Sequence, residues 1–443
     1  MEKFVITGGK QLRGSLKVGG AKNVVLKVLV AACLTDEPVT IHNVPNISDV
    51  HTMIDIMRDL GASVMMDGDT VTVQMKSFAK RMISLDQAAH IKTSSMFLAP
   101  LLGREKEATI PNPGGCRLGA RPINRHIEGL EKMGAKINYE SDDGYFHATT
   151  DGLKGATYRF DKNTHTGTET LIIAAVLADG LTRIENAAEE PEIDELIALI
   201  NSMGGNVKRT ENRVIEITGV KKLHGAECTV QPDRNEIVTF AIAALVTKGD
   251  IYIEEISKKG IEEFLELLEK VGGGVEVKDQ GIRFFYTGPI RPTDVEAKPY
   301  PAFMTDWQSP WAVLMTQAEG VSTIHETIFE NKFGYVYELK KMGAKIELYN
   351  PEVADREATY NFNLEDDRPE YFHAIRISGP TPLHNAIVTM LDLRAGAAVV
   401  IAALAATGES TVHGIRHIDR GYEHFEERLR SLGAMIERKQ EEQ

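Results

Sequence analysis

The sequence predicts an α/β protein of six similar repeats, three in each of two domains, with apolar helices inside and sheets outside. A three-residue motif of an apolar residue, glycine and a small residue recurs six times, with its glycine at positions 61, 134, 204, 272, 343 and 433. The steps of 73, 70, 68, 71 and 90 residues are too long for solenoid repeats and suit α/β units. Residues 239–246 and 395–406 have no polar face, so these helices must be buried.

Each repeat follows one order of elements. A buried helix is followed by a short strand, such as 39–43 or 322–326, and then by a charged amphipathic helix such as 260–270. The recurring glycine ends that helix as a C-cap, and further strands follow.

The boundary between the two domains is predicted near Gln231-Pro232-Asp233. Residues 22–231 would form the first domain, and residues 1–21 with 232–443 the second. The N-terminal strands at 3–6 and 16–18 precede the first repeat and are expected to pair with the second half. The last step is longer than the others because of the polar stretch Asn350–Tyr371, which we interpret as a surface excursion.

Composition narrows the class of protein. A net charge of −14 over 443 residues argues against nucleic acid or an anionic membrane as a partner. Three scattered cysteines, at 33, 116 and 228, predict neither disulfides nor a zinc site and indicate a reducing compartment. The N-terminus has no signal-peptide pattern, and the longest apolar stretch is too short to span a bilayer. We therefore expect a cytoplasmic protein whose oligomeric state the sequence leaves open.

Residues 113–122, Pro-Gly-Gly-Cys-Arg-Leu-Gly-Ala-Arg-Pro, are predicted to be a loop because glycine and proline dominate them. Arg117 and Arg121 flank Cys116, and neighbouring cations lower the pKa of a thiol. Cys116 could thus serve as an acid or a nucleophile near neutral pH. The alternative is a surface turn with an incidental cysteine.

Charged and polar residues recur where the buried helices begin. They are Lys22, Asn23, Lys92, Thr168, Glu169, Asp233, Arg234, Thr305, Asp306, Asp392 and Arg394. Asp233 and Asp392 fit N-caps. Cations run against the helix dipole, so Lys22, Lys92 and Arg394 require a nearby anion. Converging helix N-termini also attract anionic ligands.

A second set follows the first strand of a repeat: Cys116 with Arg121, 329–332 and 417–422. Singly, these stretches fit solvated loops. Together, the repeats would bring both sets to one end of each domain, and two such ends facing each other would form a cleft.

Several motifs together resemble the UDP-N-acetylglucosamine-specific branch of the enolpyruvyl transferase family. They are Gly20-Ala21-Lys22-Asn23, the 113–122 loop, Asp306, Phe329-Glu330-Asn331, Asp392-Leu393-Arg394-Ala395 and 417–422. The resemblance implies a two-domain inside-out α/β barrel. It also implies transfer of the enolpyruvyl group of phosphoenolpyruvate to the 3-hydroxyl of UDP-N-acetylglucosamine, with release of phosphate, in peptidoglycan precursor synthesis. No metal and no cofactor are implied.

The resemblance also implies roles for individual residues. Cys116 would donate a proton, Asp306 would act as base, and Lys22 and Arg420 would complete the catalytic set. The phosphoenolpyruvate residues would be Lys22, Asn23, Lys92, Arg121, Arg394 and Arg420. The UDP-N-acetylglucosamine residues would be Asn23, Lys92, Arg121, Pro122, Ile123, Asn124, Arg125, Lys162, Thr164, His165, Asp306 and Ile328.

Some positions depart from the pattern of this family. Lys92 and Lys332 replace arginines, which keeps the charge but removes the bidentate fork. Asn124 replaces an aspartate, and residues 162–166 replace a smaller Ser-Val-Gly pattern. Two alternatives stay open: transfer to another acceptor (another uridine nucleotide or shikimate 3-phosphate), and a non-catalytic paralogue that binds a UDP-sugar. The cysteine in the loop argues against shikimate 3-phosphate.

Overall fold

The computed structural model describes residues 2–112 and 122–440. The helices are α1 Lys22–Ala32, α2 Ser48–Asp59, α3 Leu85–His90, α4 Leu98–Glu105, α5 Asn124–Lys132, α6 His165–Ala175, α7 Pro191–Ser202, α8 Arg234–Val246, α9 Glu262–Lys270, α10 Gln308–Thr316, α11 Tyr335–Lys341, α12 Arg356–Thr359, α13 Leu393–Ala405 and α14 Phe425–Ser431. Short 3-10 helices cover Lys92–Phe97, Thr305–Trp307, Leu364–Asp366 and Ile415–His417.

The strands are β1 Glu2–Thr7, β2 Arg13–Lys17, β3 Val39–His42, β4 Ser63–Asp67, β5 Thr70–Gln74, β6 Glu107–Pro111, β7 Lys136–Glu140, β8 Tyr145–Thr149, β9 Thr157–Arg159, β10 Leu181–Glu185, β11 Asn206–Glu211, β12 Val214–Thr218, β13 Ala226–Thr229, β14 Asp250–Glu254, β15 Gly273–Lys278, β16 Gly281–Tyr286, β17 Val295–Ala297, β18 Gly320–Glu326, β19 Lys345–Tyr349, β20 Ala374–Gly379, β21 Ile387–Thr389, β22 Glu409–His413 and β23 Met435–Gln440.

The described chain folds into two compact units. The N-unit comprises residues 20–112 and 122–231, and the C-unit comprises residues 2–19 and 232–440. Each unit has its own hydrophobic core.

Both units place apolar helices inside three sheets. In the C-unit, α8, α10 and α13 are surrounded by the sheets β21-β22-β1-β23, β15-β16-β14-β2 and β17-β18-β20-β19. In the N-unit, α1, α4 and α6 are surrounded by β11-β12-β10-β9, β13-β3-β5-β4 and β6-β8-β7. All 13 residues of α8 are buried. A helix that is apolar all round must lie inside, and this confirms the predicted inside-out arrangement of six repeats.

Five of the six described sheets share one strand pattern, whereas β6-β8-β7 has antiparallel pairs only. The strand that follows a buried helix pairs antiparallel with a hairpin strand and parallel with a short edge strand, as β18 does with β20 and β17. The edge strands β9, β17 and β21 have only three residues each. Sequence analysis missed them because so short a segment has no readable alternation.

The N-terminal strands pair within the C-unit, as predicted. β1 lies antiparallel between β22 and β23, and β2 pairs parallel with β14. The last repeat therefore takes a sheet strand from the start of the chain.

The six recurring glycines end amphipathic helices in the left-handed region, with φ between 91° and 111°. Side chains with a Cβ rarely adopt this conformation, so glycine is the residue that turns each helix into the next strand. This confirms the C-cap prediction.

The stretch Asn350–Tyr371 is more than a surface excursion, and that interpretation was wrong in part. Tyr360 and Phe362 are buried, and their rings lie 4.9 Å and 5.2 Å from the ring of His373. The Asn350 side chain donates to the Tyr371 carbonyl and accepts from the His373 N–H, which fastens both ends. The segment lines a cavity of about 730 Å³.

Among residues 2–112 and 122–440, no helix is both long and apolar enough to cross a membrane.

Candidate active site

In the N-unit, the predicted cation at the start of α1 has a buried anion beside it. Lys22 is the first residue of α1, and its Nζ lies 2.7 Å from Oδ2 of Asp49 in the first turn of α2. Both side chains are buried. The expectation that Lys22 needs an anion is therefore confirmed, and the protein itself supplies one.

Two charged side chains, Lys27 and Glu169, connect the predicted acceptor residues Asn23 on α1 and His165 on α6. Lys27 Nζ donates to the Asn23 carbonyl at 2.5 Å and lies 3.4 Å from Glu169 Oε2. Glu169 Oε1 lies 3.1 Å from Nε2 of His165. Burial penalises the His165 imidazolium, but the charges of Glu169 and Glu190 outweigh it and raise the pKa of His165 above 6.5. His165 is thereby favoured as a cation at the start of α6.

The starts of α5 and of the Lys92–Phe97 helix lie beside α6. His126 Nε2 lies 3.1 Å from Thr166 Oγ1, within hydrogen-bond reach. Burial, together with the positive charges of Lys92 and Arg125, lowers the pKa of His126 to about 3. His126 is thus a neutral ring in a region of positive potential. The Arg125 Nε donates to Asp161 Oδ1 at 2.7 Å.

The remaining predicted N-unit residues also stand at helix starts. Thr164 caps α6 by accepting from the Gly167 N–H, Lys162 precedes it, and Pro122, Ile123 and Asn124 lead into α5. The structure thus brings these predicted residues to neighbouring helix N-termini, where N–H groups attract anions.

Thr168 and Glu169 do not begin a helix as predicted, because α6 starts at His165. Cys116 and Arg121 lie outside the described residues.

In the C-unit, Asp306 and Arg394 lie together. Asp306 belongs to the Thr305–Trp307 helix, and its Oδ2 lies 3.6 Å from Arg394 Nε. Arg394 is buried at the start of α13, with its guanidinium 5.3 Å from the centre of the Tyr422 ring and 3.9 Å from Asp233. The predicted need of Arg394 for anions is confirmed.

The two expected N-caps are also confirmed. Asp233 accepts from the Asn235 N–H, and Asp392 accepts from the N–H groups of Arg394 and Ala395. Both carboxylates therefore stabilise the starts of the buried helices α8 and α13.

The segment 417–422 is built into the same unit. Burial, with the positive charges of Arg416 and Arg420, lowers the pKa of His417. The Tyr422 hydroxyl lies 2.7 Å from Thr239 Oγ1, and burial raises the pKa of Tyr422. Tyr422 is therefore a neutral phenol, and its ring is the cation-π partner of Arg394.

In the segment 329–332, Asn331 is exposed, but the alternative of a solvated loop is wrong for the two charged residues. Glu330 and Lys332 are each 3% exposed. The nearby Ile328 N–H donates to Glu326 Oε1 at 2.8 Å. The charge of this segment is held inside the unit.

Sequence analysis missed Asp49, Asn235 and Glu326. Asn235 reaches both Asp306, at 3.5 Å, and the Trp307 indole N–H, at 3.0 Å. Glu326 carried a readable signal, because it follows Ser322 and Ile324 on the inward face of β18. A carboxylate at an inward strand position is costly unless it is bonded.

These clusters offer cations and helix N-termini for anionic groups, and a carboxylate, Asp306, for proton transfer. Within the part of the chain that is described, Glu140, Asp143 and His147 form the one group spaced for a metal ion, and it lies exposed at the β7–β8 hairpin. A hairpin cluster of this kind is common without a metal.

Apolar helices inside sheets, with cations at their N-termini, define the class of enolpyruvyl transferases. The profile of the family described as EPSP synthase (3-phosphoshikimate 1-carboxyvinyltransferase) matches residues 6–429. The solved enolpyruvyl transferase NikO from Streptomyces tendae superposes with a TM-score of 0.86 at 24% identity, over 100% of this chain and 99% of that one. EPSP synthase from Acinetobacter baumannii superposes with a TM-score of 0.72 at 18% identity, over 99% and 100%.

Curated relatives are closer in sequence. A UDP-N-acetylglucosamine 1-carboxyvinyltransferase of Acidobacterium capsulatum is 41% identical over 99% of this chain and 96% of its own length. One of Idiomarina loihiensis is 41% identical over 99% of each chain. The chain belongs to the enolpyruvyl transferase family.

Proposed function

We propose that this protein transfers the enolpyruvyl group of phosphoenolpyruvate to the 3-hydroxyl of UDP-N-acetylglucosamine, in the cytoplasm, as a step of peptidoglycan precursor synthesis. The observation that carries the proposal is full-length identity of about two fifths to relatives named for this reaction. The pairing of Asp306 with Arg394 supports it, because it joins a carboxylate to an anion-binding group.

The reaction needs three proton transfers, the formation of one C–O bond and the cleavage of another. The sugar oxygen adds to C2 of phosphoenolpyruvate as its proton leaves and the methylene carbon gains a proton. Phosphate then departs as that carbon gives up a proton, which restores the vinyl group. We assign acceptance of the hydroxyl proton to Asp306 and donation to the methylene to Cys116.

Anion binding is assigned to the cations. Lys22, Lys92, Arg121, Arg394 and Arg420, with Asn23, hold the phosphate and carboxylate of phosphoenolpyruvate, and the charge that develops there is stabilised by fixed positive groups. The acceptor is assigned to Asn23, Lys92, Arg121, Pro122, Ile123, Asn124, Arg125, Lys162, Thr164, His165, Asp306 and Ile328. We take the N-unit and the C-unit as the two domains.

The acceptor decides between this function and its nearest alternative. The family profile is named for a shikimate 3-phosphate enzyme, whereas the relatives at 41% identity are named for UDP-N-acetylglucosamine. Phosphate release should be measured with phosphoenolpyruvate and each of UDP-N-acetylglucosamine, UDP-N-acetylgalactosamine and shikimate 3-phosphate. We expect release to be fastest with UDP-N-acetylglucosamine. Faster release with shikimate 3-phosphate would overturn the acceptor, and release with none of them would favour a binding paralogue.

A further inference from the structure

One buried carboxylate of the C-unit is bonded to two predicted substrate-side segments. Glu326, the last residue of β18, is 0% exposed. Its Oε1 accepts from the Ile328 N–H at 2.8 Å and from the Phe329 N–H at 3.2 Å. This oxygen therefore fixes the backbone that carries Ile328.

The other oxygen of the same carboxylate fixes the turn that carries Asp306. Glu326 Oε2 accepts from Thr305 Oγ1 at 2.8 Å and from Gln308 Nε2 at 2.7 Å. The Tyr335 hydroxyl donates to Gln308 Oε1 at 2.6 Å, which orients the amide. Thr305 and Gln308 bracket Asp306 in the chain.

Four hydrogen-bonding groups surround this one carboxyl group, and an ionised carboxylate has an acceptor position for each of them. Burial raises the pKa of Glu326, while its hydrogen bonds and the positive charge of Lys332 oppose that rise. A buried charge is costly unless it is paired and hydrogen-bonded. Here both carboxyl oxygens are hydrogen-bonded, and their bonds join two separate segments.

We infer that Glu326 is a positioning residue that sets Asp306 and the Ile328–Phe329 backbone in one fixed relation. The inference rests on the proposed function, in which Asp306 takes the proton of the sugar hydroxyl and Ile328 contacts the acceptor. Glu326 itself bonds to protein groups on both oxygens, so it acts through these neighbours. A small misplacement of a reacting group can cost on the order of 10²-fold in rate.

Thr305 offers a matched pair of variants. T305V removes the hydroxyl that donates to Glu326 with little change of shape, and T305S keeps a hydroxyl at that position. We expect T305V to lower kcat by on the order of 10-fold to 10²-fold and to raise the KM for UDP-N-acetylglucosamine, and T305S to restore most of both. E326Q should show the same combination more strongly, because an amide has one acceptor oxygen for two pairs of donors.

A control variant separates positioning from stability. Thr316 in α10 is 0% exposed, and its Oγ1 donates to the Val313 carbonyl at 2.7 Å. T316V loses this bond and the one that Thr316 Oγ1 accepts from Gln317 Nε2 at 2.9 Å, without touching Glu326. It should lower the unfolding midpoint at least as much as T305V and leave kcat and KM unchanged. Equal kinetic losses in T305V and T316V would overturn the inference.

A readout that does not depend on activity completes the test. Amide hydrogen exchange of the peptide containing Ile328 and Phe329 should be faster in T305V than in the parent, and parental in T305S. Unchanged exchange, or faster exchange with unchanged kinetics, would overturn the positioning role. If the parent released no phosphate with UDP-N-acetylglucosamine, the proposed function would fail, and the exchange result would still decide whether Glu326 joins the two segments.

Discussion

Arg394 Nε lies 3.6 Å from Asp306 Oδ2, so the proposed base is in direct contact with a cation proposed to bind phosphoenolpyruvate. The two side chains come from two different helices, α13 and the Thr305–Trp307 helix. The repeated fold brings such helices together. In the proposed reaction, phosphoenolpyruvate binds to Arg394 and Asp306 activates the sugar hydroxyl. This contact therefore lets the binding of phosphoenolpyruvate affect Asp306.

Asp306→Asn should lose turnover while still binding the acceptor. An amide cannot take up the hydroxyl proton, and removal of a positioned base costs on the order of 10²–10⁴-fold. Phosphate release would give the rate, and calorimetric titration with UDP-N-acetylglucosamine would give binding. Asp279→Asn, in the exposed turn between β15 and β16, is the control. Turnover within a few-fold of the parent would leave Asp306 a structural role only.

The binding of phosphoenolpyruvate should depend on the positive charge at position 92 and not on the shape of the side chain that carries it. Lys92→Met removes a cation whose charge reaches His126, whereas Lys92→Arg keeps the charge and adds a bidentate fork. We expect a much higher KM for phosphoenolpyruvate in the methionine variant, and a KM equal to or below that of the parent in the arginine variant. Equal KM values in all three proteins would place Lys92 outside the site.

His165 should make stability depend on pH. Its pKa is raised above 6.5 in the folded protein, so the imidazolium stabilises the fold fully below pH 6.5 and loses that effect as pH rises through the raised pKa. Lys27, Glu169 and Glu190 are the charged groups that act on it. Urea unfolding of the parent and of His165→Gln, between about pH 6 and pH 9, should show a difference that shrinks as pH rises. A difference that grows with pH would contradict the charge assignment.

The protein should lose stability when one partner of the buried pair Lys27–Glu169 is removed, and much less when both are removed. Glu169→Gln leaves the Lys27 ammonium uncompensated, and breaking a buried pair costs about 3–5 kcal/mol in the free energy of unfolding. The double variant Lys27→Met, Glu169→Gln removes both charges and should recover much of that loss, with Lys27→Met as the second single variant. Chemical denaturation of the single and double variants measures the difference. Additive losses would mean that the two charges do not interact.

Cys116 should be the reactive thiol. Burial raises the pKa of Cys33 to about 12 and that of Cys228 to about 11, so both stay protonated and unreactive at neutral pH. Fosfomycin should alkylate Cys116, and the alkylation should be faster with UDP-N-acetylglucosamine present. Peptide mass mapping would reveal both.

Cys116→Asp should keep turnover with a lower pH optimum, because aspartate also donates a proton, whereas Cys116→Ala should be nearly inactive. An inactive aspartate variant would reject proton donation, and an active alanine variant would remove Cys116 from the mechanism.

The sequence could predict what depends on local pattern. The buried helices were predictable because their sequences have no polar face, and the six turns because glycine readily adopts a positive φ that other residues rarely adopt. Asp233 and Asp392 were predictable as caps because capping acts within three residues.

What the sequence could not predict depends on pairing between distant segments. The edge strand β17 has three residues, too few to carry a pattern, and it is a strand only because it pairs with β18. Asp49 is an ordinary first-turn acid until the fold places it beside Lys22. The stretch Asn350–Tyr371 looked polar throughout because two buried rings cannot outweigh its many charges in composition, although they determine its packing.

The most direct test of the account is the structure of the product. The protein should be mixed with phosphoenolpyruvate and UDP-N-acetylglucosamine, and the product analysed by NMR together with phosphate release. We predict an enol ether on O3 of the sugar and one phosphate released for each product molecule, with both lost in Asp306→Asn. Binding of UDP-N-acetylglucosamine without any enol ether or phosphate, or an enol ether on a different acceptor only, would contradict the account.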